Sequence, residues 1–260
     1  MSFRQFDFGL NGDLTGVNPS AYGRGLGILL LDDTYPFFPG DVRNPGAWDF
    51  PTKYEIAEGV DYRSLVWERD KTRCREPIIR AAKNLERAGC RAVVAECGYF
   101  AYFQRDVTEA IEIPAFMSSL SQVPLIQRAI GPNKEVGIVC SETKFLTDVH
   151  LSNVGVDLGS NYRITGFGDE RGGAEFVKKW VRGKRPDLIE YGLAERDMIR
   201  LCQEFKAKYP AIGAIMLERA SLHTFAKAIQ RELNLPVWSW GNFLDRAWSV
   251  VTFLDYHGRG

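Results

Sequence analysis

The sequence predicts an α/β protein made of two related halves, each a parallel sheet with helices on both faces. Three observations carry that prediction. Short aliphatic runs alternate with amphipathic helical stretches, the order expected of a parallel sheet covered by helices. A strand–helix–strand unit recurs along the chain with matching residues at matching distances. The turn-forming cluster Gly131-Pro132-Asn133-Lys134 separates the two copies. This reading assigns residues 1–132 with 241–260 to an N-terminal half and 133–240 to a C-terminal half.

Taken in order, Gly27–Leu31 is an aliphatic run and reads as a strand. Thr72–Ala88 is an amphipathic helix that leads into the apolar strand Ala92–Ala95. Tyr99–Ala110 follows as a helix, then a short strand around Pro114–Met117. Val136–Val139 is a strand, Phe145–Ser152 a helix and Tyr162–Thr165 a further strand. Asp187–Lys208 is a helix, Gly213–Leu217 a strand and Leu222–Leu233 a helix. Pro236–Trp240 is extended, and Leu244–Phe253 closes the chain as a helix.

The repeat is the most informative feature. Ala92-Val93-Val94-Ala95-Glu96-Cys97 is followed by a helix and Ile113-Pro114, and Ala214-Ile215-Met216-Leu217-Glu218-Arg219 by a helix and Leu235-Pro236. Eighteen positions separate the glutamate from the proline in both copies. Upstream, Gly27–Thr34 resembles Gly137–Thr143. Parallel sheets bind ligands beyond the carboxyl ends of their strands. The repeat puts Cys97 at that end of one half and Arg219 at that end of the other. If the halves pack face to face, the two side chains meet across the cleft between them, a favoured location for a small-molecule site.

Bulk composition narrows the function. Thirty-three basic and thirty-three acidic side chains leave no net charge, which removes the electrostatic footprint of a nucleic-acid binder or of an anionic-membrane binder. Met1–Leu14 lacks the apolar core of a signal peptide, and Leu26–Leu31 is far too short to span a bilayer. The five cysteines (Cys74, Cys90, Cys97, Cys140, Cys202) are odd in number and show no CxxC spacing. They point to a reducing, cytoplasmic setting and away from structural zinc. His150, His223 and His257 are not at metal-ligand spacing, so no metal is expected.

Cys97 precedes Gly98, where a helix is expected to begin, so unpaired amides and the helix dipole should lower its pKa toward a reactive thiolate. The competing reading is a small, inert core residue. Arg219 opposite either lowers that pKa further or clamps a substrate carboxylate. Glu96 and Glu218 either orient neighbours or form salt bridges. His223 lies one helical turn beyond Arg219 and is either an acid/base or a solvent-facing side chain. Ser118-Ser119 caps a helix and offers an anion site. Ser141-Glu142-Thr143 looks like a second such cap. Asp32, Asp33 and Thr34 end the first strand and either polarise the cleft or cap a turn. Tyr99, Phe100, Tyr102 and Phe103 line a pocket or pack in the core, and Cys140 is packing. Gly166-Phe167-Gly168 lacks the full dinucleotide fingerprint.

Several segments together resemble the aspartate/glutamate racemase superfamily, from about Gly25 to Trp240. They are Gly27–Asp32, Phe38-Pro39-Gly40-Asp41, Cys97-Gly98-Tyr99, Phe116–Leu120, Val136–Val139, and Met216-Leu217-Glu218 ahead of Ala226–Gln230. The resemblance implies two Rossmann-like (flavodoxin-like) halves about a pseudo-twofold axis, with the active site in the cleft. It also implies no pyridoxal phosphate, no other cofactor and no metal, a small carboxylate as substrate, and a homo-oligomer, commonly a dimer. The superfamily's racemases carry one cysteine in each half. Cys97 matches the first; the second motif, normally Leu-Glu-Cys-Thr, reads Leu217-Glu218-Arg219-Ala220 here.

That departure decides the chemistry expected. Arginine is a poor proton carrier, and racemisation needs an acid and a base on opposite faces of a carbanion. A lyase or decarboxylase working with one thiol is the first expectation, with Cys97 and Arg219 catalytic. Asp32, Gly98, Tyr99, Ser118, Ser119, Ser141, Thr143, Glu218, Ala220 and His223 are expected to line the substrate. The alternatives are a racemase in which His223, Glu218 or Cys140 replaces the second sulfur, a maleate-type isomerase using one thiolate nucleophile, and an inactive carboxylate-binding relative.

Overall fold

The computed structural model describes residues 25–34, 40–169 and 188–252. Phe38, Pro39, Asp187, Phe253 and His257 lie outside the described residues, as does the Met1–Leu14 segment. The first half holds strands β1 (Leu26–Leu31), β2 (Thr52–Ala57), β3 (Ala92–Ala95) and β4 (Ala115–Phe116). Its helices are α1 (Thr72–Arg87), α2 (Gln104–Ala110) and α3 (Val123–Ile130). The second half holds β5 (Glu135–Cys140), β6 (Tyr162–Gly166), β7 (Ile212–Leu217) and β8 (Val237–Trp238). It carries α4 (Asp148–Asn153), α5 (Leu188–Lys208), α6 (Ala226–Leu233) and α7 (Trp240–Val251).

Every strand pairing is parallel. The sheets run β2-β1-β3-β4 and β6-β5-β7-β8, so the two halves match strand for strand. In each, the chain moves outward from the first strand and then returns past it. That makes a switch point between β1 and β3, and another between β5 and β7, the position at which open parallel sheets bind their ligands. Cys97 and Arg219 leave β3 and β7 at those points.

The central strands are buried on both faces, which is why they read as unbroken aliphatic runs rather than alternating ones. Gly27 and Gly137 hold equivalent places in the repeat for one reason. A Cβ on Gly27 would press on Leu85 of α1 at 3.0 Å, and one on Gly137 would press on Phe205 of α5 at 3.0 Å. Each glycine lets a helix settle directly on its sheet.

The halves are interlocked by exchanged helices. Helix α3 follows β4 yet lies against β5 and β7, with Ile126 in one core with Val136, Ile138, Ala214 and Met216. Helix α7 follows β8 yet lies against β3, with Trp240, Leu244 and Ala247 packed among Leu26, Ile28, Ala92 and Val94.

Several elements depart from the sequence reading. Strand β2 was not expected, because Thr52-Lys53-Tyr54-Glu55-Ile56-Ala57 is an edge strand with no aliphatic run. The helices expected at Tyr99–Ala110 and Leu222–Leu233 each begin as a 3-10 turn, Gly98–Phe103 and Ala220–Phe225, before continuing as α2 and α6. The Phe145–Ser152 helix is a 3-10 turn at Thr143–Phe145 and then α4. Helix α7 starts at Trp240, earlier than Leu244, because Ser239 and Asn242 form a capping box there. Among the described residues no helix is long and apolar enough to cross a membrane.

Candidate active site

Cys97 and Arg219 occupy the same structural position in the two halves. Each is extended, ends a central strand and precedes a six-residue 3-10 turn. Both are 5% exposed. Their charges are coupled, since Arg219 favours the thiolate of Cys97.

The expected low thiol pKa is not what the surroundings produce. Burial pushes Cys97 up to about 12, and the charge of Glu218 adds to the effect. Arg219 and the Tyr99 amide pull the other way without overcoming it. The dipole of the following turn does not offset the cost of a charge in a dry site. Cys97 therefore rests as a thiol.

Arg219 is held from several sides. Its Nε donates to Ser221 Oγ at 2.9 Å and Nη1 to Ser141 Oγ at 3.2 Å. The guanidinium lies 5.0 Å from the Tyr62 ring centre and 5.9 Å from that of Phe167. These contacts fix the fork in place, and hydroxyl acceptors can give way to a carboxylate, which binds guanidinium more strongly.

The two strand-end glutamates are partnered differently. Glu96 is buried in an ion pair with Arg43, whose Nε and Nη2 both donate to its carboxylate; the Leu31 amide adds a third bond at 2.5 Å. Glu218 is fully buried, and neither of its oxygens makes a well-formed hydrogen bond. Burial lifts it to about 8, while Arg219 and the Ser141 amide hold it below what burial alone would give. Its carboxyl lies against Gly98, where an added Cβ would overlap Oε1, Cδ and Cγ of Glu218. Glycine is required there for the two halves to close.

The remaining candidates divide. Ser119 Oγ donates to the Glu218 carbonyl at 3.1 Å, as does the Trp240 indole at 2.6 Å, so Ser119 ties one half to the other. Ser118 is the cap of the turn after β4, accepting from the Leu120 amide at 3.1 Å. Ser141 is not a cap; it is the Arg219 acceptor. Thr143 is bound by Asp169 through its amide and hydroxyl and offers no cap either. Tyr99 is core: its hydroxyl donates to the Glu142 carbonyl at 2.9 Å and its ring meets His150 edge-on. Ala220 is buried beside Trp240. Cys140 is buried at the end of β5, and burial holds its thiol well above the usual range.

Two candidates stand apart from the pair. Asp32 is exposed, and its carboxylate accepts the Gly59 amide at 2.8 Å as a turn brace. His223 is not on the Arg219 face, because a 3-10 turn repeats every three residues and not every 3.6. Nor does it face solvent. It is half-buried, bonded to Ser239 Oγ at 2.9 Å and stacked on Trp48. Burial lowers its pKa.

Sequence reasoning missed Arg43, Asp41, Tyr62 and Phe167. Asp41 is buried with one unpartnered oxygen; burial lifts it to about 6 and Glu96 adds to the shift, while Arg219 and Arg43 oppose it. It belongs to the Phe38–Asp41 segment already singled out, which was the available signal. Arg43 and Tyr62 come from segments with no partner in the repeat. Among the described residues no cluster of three or more His, Cys, Asp or Glu side chains is arranged to hold a metal.

No family model matches the chain. Among curated proteins it is 25% identical over 228 residues to a dimethylsulfoniopropionate lyase of Durusdinium sp. clade D, covering 86% of this chain and 73% of that one. It is 27% identical over 220 residues to dimethylsulfoniopropionate lyase 7 of Emiliania huxleyi, covering 82% of this chain and 62% of that relative. Among solved structures, a glutamate racemase of Bacillus anthracis aligns with a TM-score of 0.56 at 11% identity, over 88% of this chain and 84% of that one. Unliganded arylmalonate decarboxylase aligns at 0.53 with 16% identity, over 88% and 92%. Joined to the matching strand orders, these likenesses show that the chain has the two-half α/β fold seen in glutamate racemase and arylmalonate decarboxylase.

Proposed function

We propose that the chain is a cofactor-independent lyase that acts at the carbon next to a carboxylate, with Cys97 as the proton carrier and Arg219 as the carboxylate clamp. One observation carries this: a thiol and a fixed guanidinium occupy equivalent strand ends and are electrostatically coupled across the two halves. Relatives named as dimethylsulfoniopropionate lyases support elimination and make that compound the first substrate to try. It carries a carboxylate for Arg219 and a sulfonium leaving group. In the step proposed, Cys97 first gives up its own proton to a neighbouring base, and the thiolate then takes the proton from the carbon beside the carboxylate. The C–H electron pair becomes the new double bond, and the carbon–sulfur pair leaves with dimethyl sulfide. Arg219 balances the enolate-like charge as it builds. The five free cysteines fit a cytoplasmic, reducing setting.

Decarboxylation is the second reading, and the thiol state of Cys97 favours it, because loss of carbon dioxide leaves a carbanion that needs only one proton donor. Racemisation is disfavoured by Arg219 standing where a second proton carrier would be. The test is product analysis with sulfonium carboxylates, malonates, amino acids and hydantoins in deuterated buffer. Acrylate and dimethyl sulfide, or a monocarboxylate from a malonate, are expected. Deuterium entering both hands of a recovered amino acid, with no new product, would overturn the reading.

A further inference from the structure

The duplicated glutamates point to how a resting thiol is made reactive. Glu96 has a complete set of partners in Arg43 and the Leu31 amide. Glu218, at the matching strand end, has none of these and is fully enclosed. A buried carboxylate without its partners is costly, and such groups concentrate where chemistry uses them. Its carboxyl rests on the backbone of Gly98, the residue next to Cys97. Of all charged groups, ionised Glu218 has the largest influence on the Cys97 thiol and holds it protonated, an opposition that ends once Glu218 itself takes the proton.

We infer that Glu218 is the proton acceptor of Cys97, so that the working unit is a thiol–carboxylate couple spanning the two halves. The inference rests on the lyase reading above. Glu218 acts through Cys97 and is a positioning residue for its proton. In the activating step the Sγ–H bond breaks and an O–H bond forms on Glu218, leaving a thiolate and a neutral acid with no change in total charge. The thiolate then takes the substrate proton, and the acid later passes its own to solvent. A neighbour that titrates near 8 accepts a proton far more readily than water does, and it must be ionised first, so activity rises with pH through that region. The groups that set the couple are Arg219 and the Ser141 amide, which favour ionised Glu218. Cys97, Cys140 and Tyr99 are held up by its charge, and Glu96 acts more weakly on Cys97.

The test is the pH dependence of Cys97 alkylation by iodoacetamide, read peptide by peptide, in wild type, Glu218→Gln and Glu218→Asp. It needs no substrate. Wild type is expected to react with a midpoint near pH 8. Glu218→Gln should react at least tenfold more slowly at pH 8, with its midpoint moved up by more than one unit. Glu218→Asp, which keeps the charge but withdraws it from Gly98, should fall between them. A wild-type profile in whichever variant folds would overturn the inference, and so would faster alkylation in Glu218→Gln, the result expected if Glu218 only opposes the thiolate with its charge. Turnover by Cys97→Ser would defeat the lyase reading instead, and alkylation would still report on the couple.

Discussion

At the scale of single residues, the site is defined by what surrounds one sulfur and one guanidinium. Arg219→Gln removes charge-assisted bonds worth about 1.5–3 kcal/mol. It should raise KM about 10- to 100-fold for a carboxylate substrate, measured by initial rates. Glu218 also makes stability depend on pH. Its folded pKa of about 8 lies above the ordinary 4.5, so the folded state holds a proton that the unfolded state has released between those values. Its contribution is complete below 4.5 and is lost as pH rises through 8. Asp41 behaves alike between 3.8 and about 6. His150 has the opposite sign: burial lowers it from 6.5 to about 3, and its contribution is lost as pH falls through that window. Between pH 6.5 and 8 Glu218 acts without a contribution from Asp41 or His150. Tm should fall there by about 3–6 °C per unit, the effect of roughly 1.4 kcal/mol. Glu218→Gln should flatten that slope, as read by calorimetry. Cys97 and Arg219 were both legible in the sequence because duplication placed them at equivalent strand ends. The protonation state of Cys97 was not, because it depends on enclosure by residues distant in sequence, Glu218 foremost.

At the scale of elements, the strand–turn junctions position the chemistry. Gly98 opens the turn after β3 and gives Glu218 its space. Gly98→Ala would force the buried carboxyl aside, an overpacking that costs about 1–3 kcal/mol. It should lower both the denaturation midpoint and turnover, even though alanine is otherwise at home in such a turn. The loop after β1 supplies Arg43 to Glu96. Arg43→Ala leaves a buried carboxylate alone and should cost about 3–5 kcal/mol, measured by urea unfolding. Strands β1, β3, β5 and β7 were readable as aliphatic runs since both faces are covered. Strand β2 was not, because an edge strand mixes Lys53 and Glu55 with apolar residues. Nor could spacing reveal that the segment after Arg219 winds as a 3-10 turn, which is what carries His223 to Ser239 and Trp48.

At the scale of the molecule, duplication supplies two sheets and the exchanged helices join them. Because α3 packs on the second sheet and α7 on the first, neither sheet keeps a covered core if the other opens. Ile126→Ala should cost about 2–5 kcal/mol, and far-UV circular dichroism and tryptophan fluorescence should still report one coincident transition. The repeat made the two-sheet plan legible, and the exchange of α3 was hidden because its apolar face gives no sign of which sheet it meets. The same closure couples a β3 thiol electrostatically to a β7 guanidinium. The direct measurement is turnover by Cys97→Ser on the substrate identified for the wild type. The variant should lose at least 1,000-fold in kcat, on the order of what a positioned proton carrier contributes, with Tm within about 3 °C of wild type. Turnover within tenfold of wild type would contradict a role for that sulfur, and with it the proposed assignment of the site.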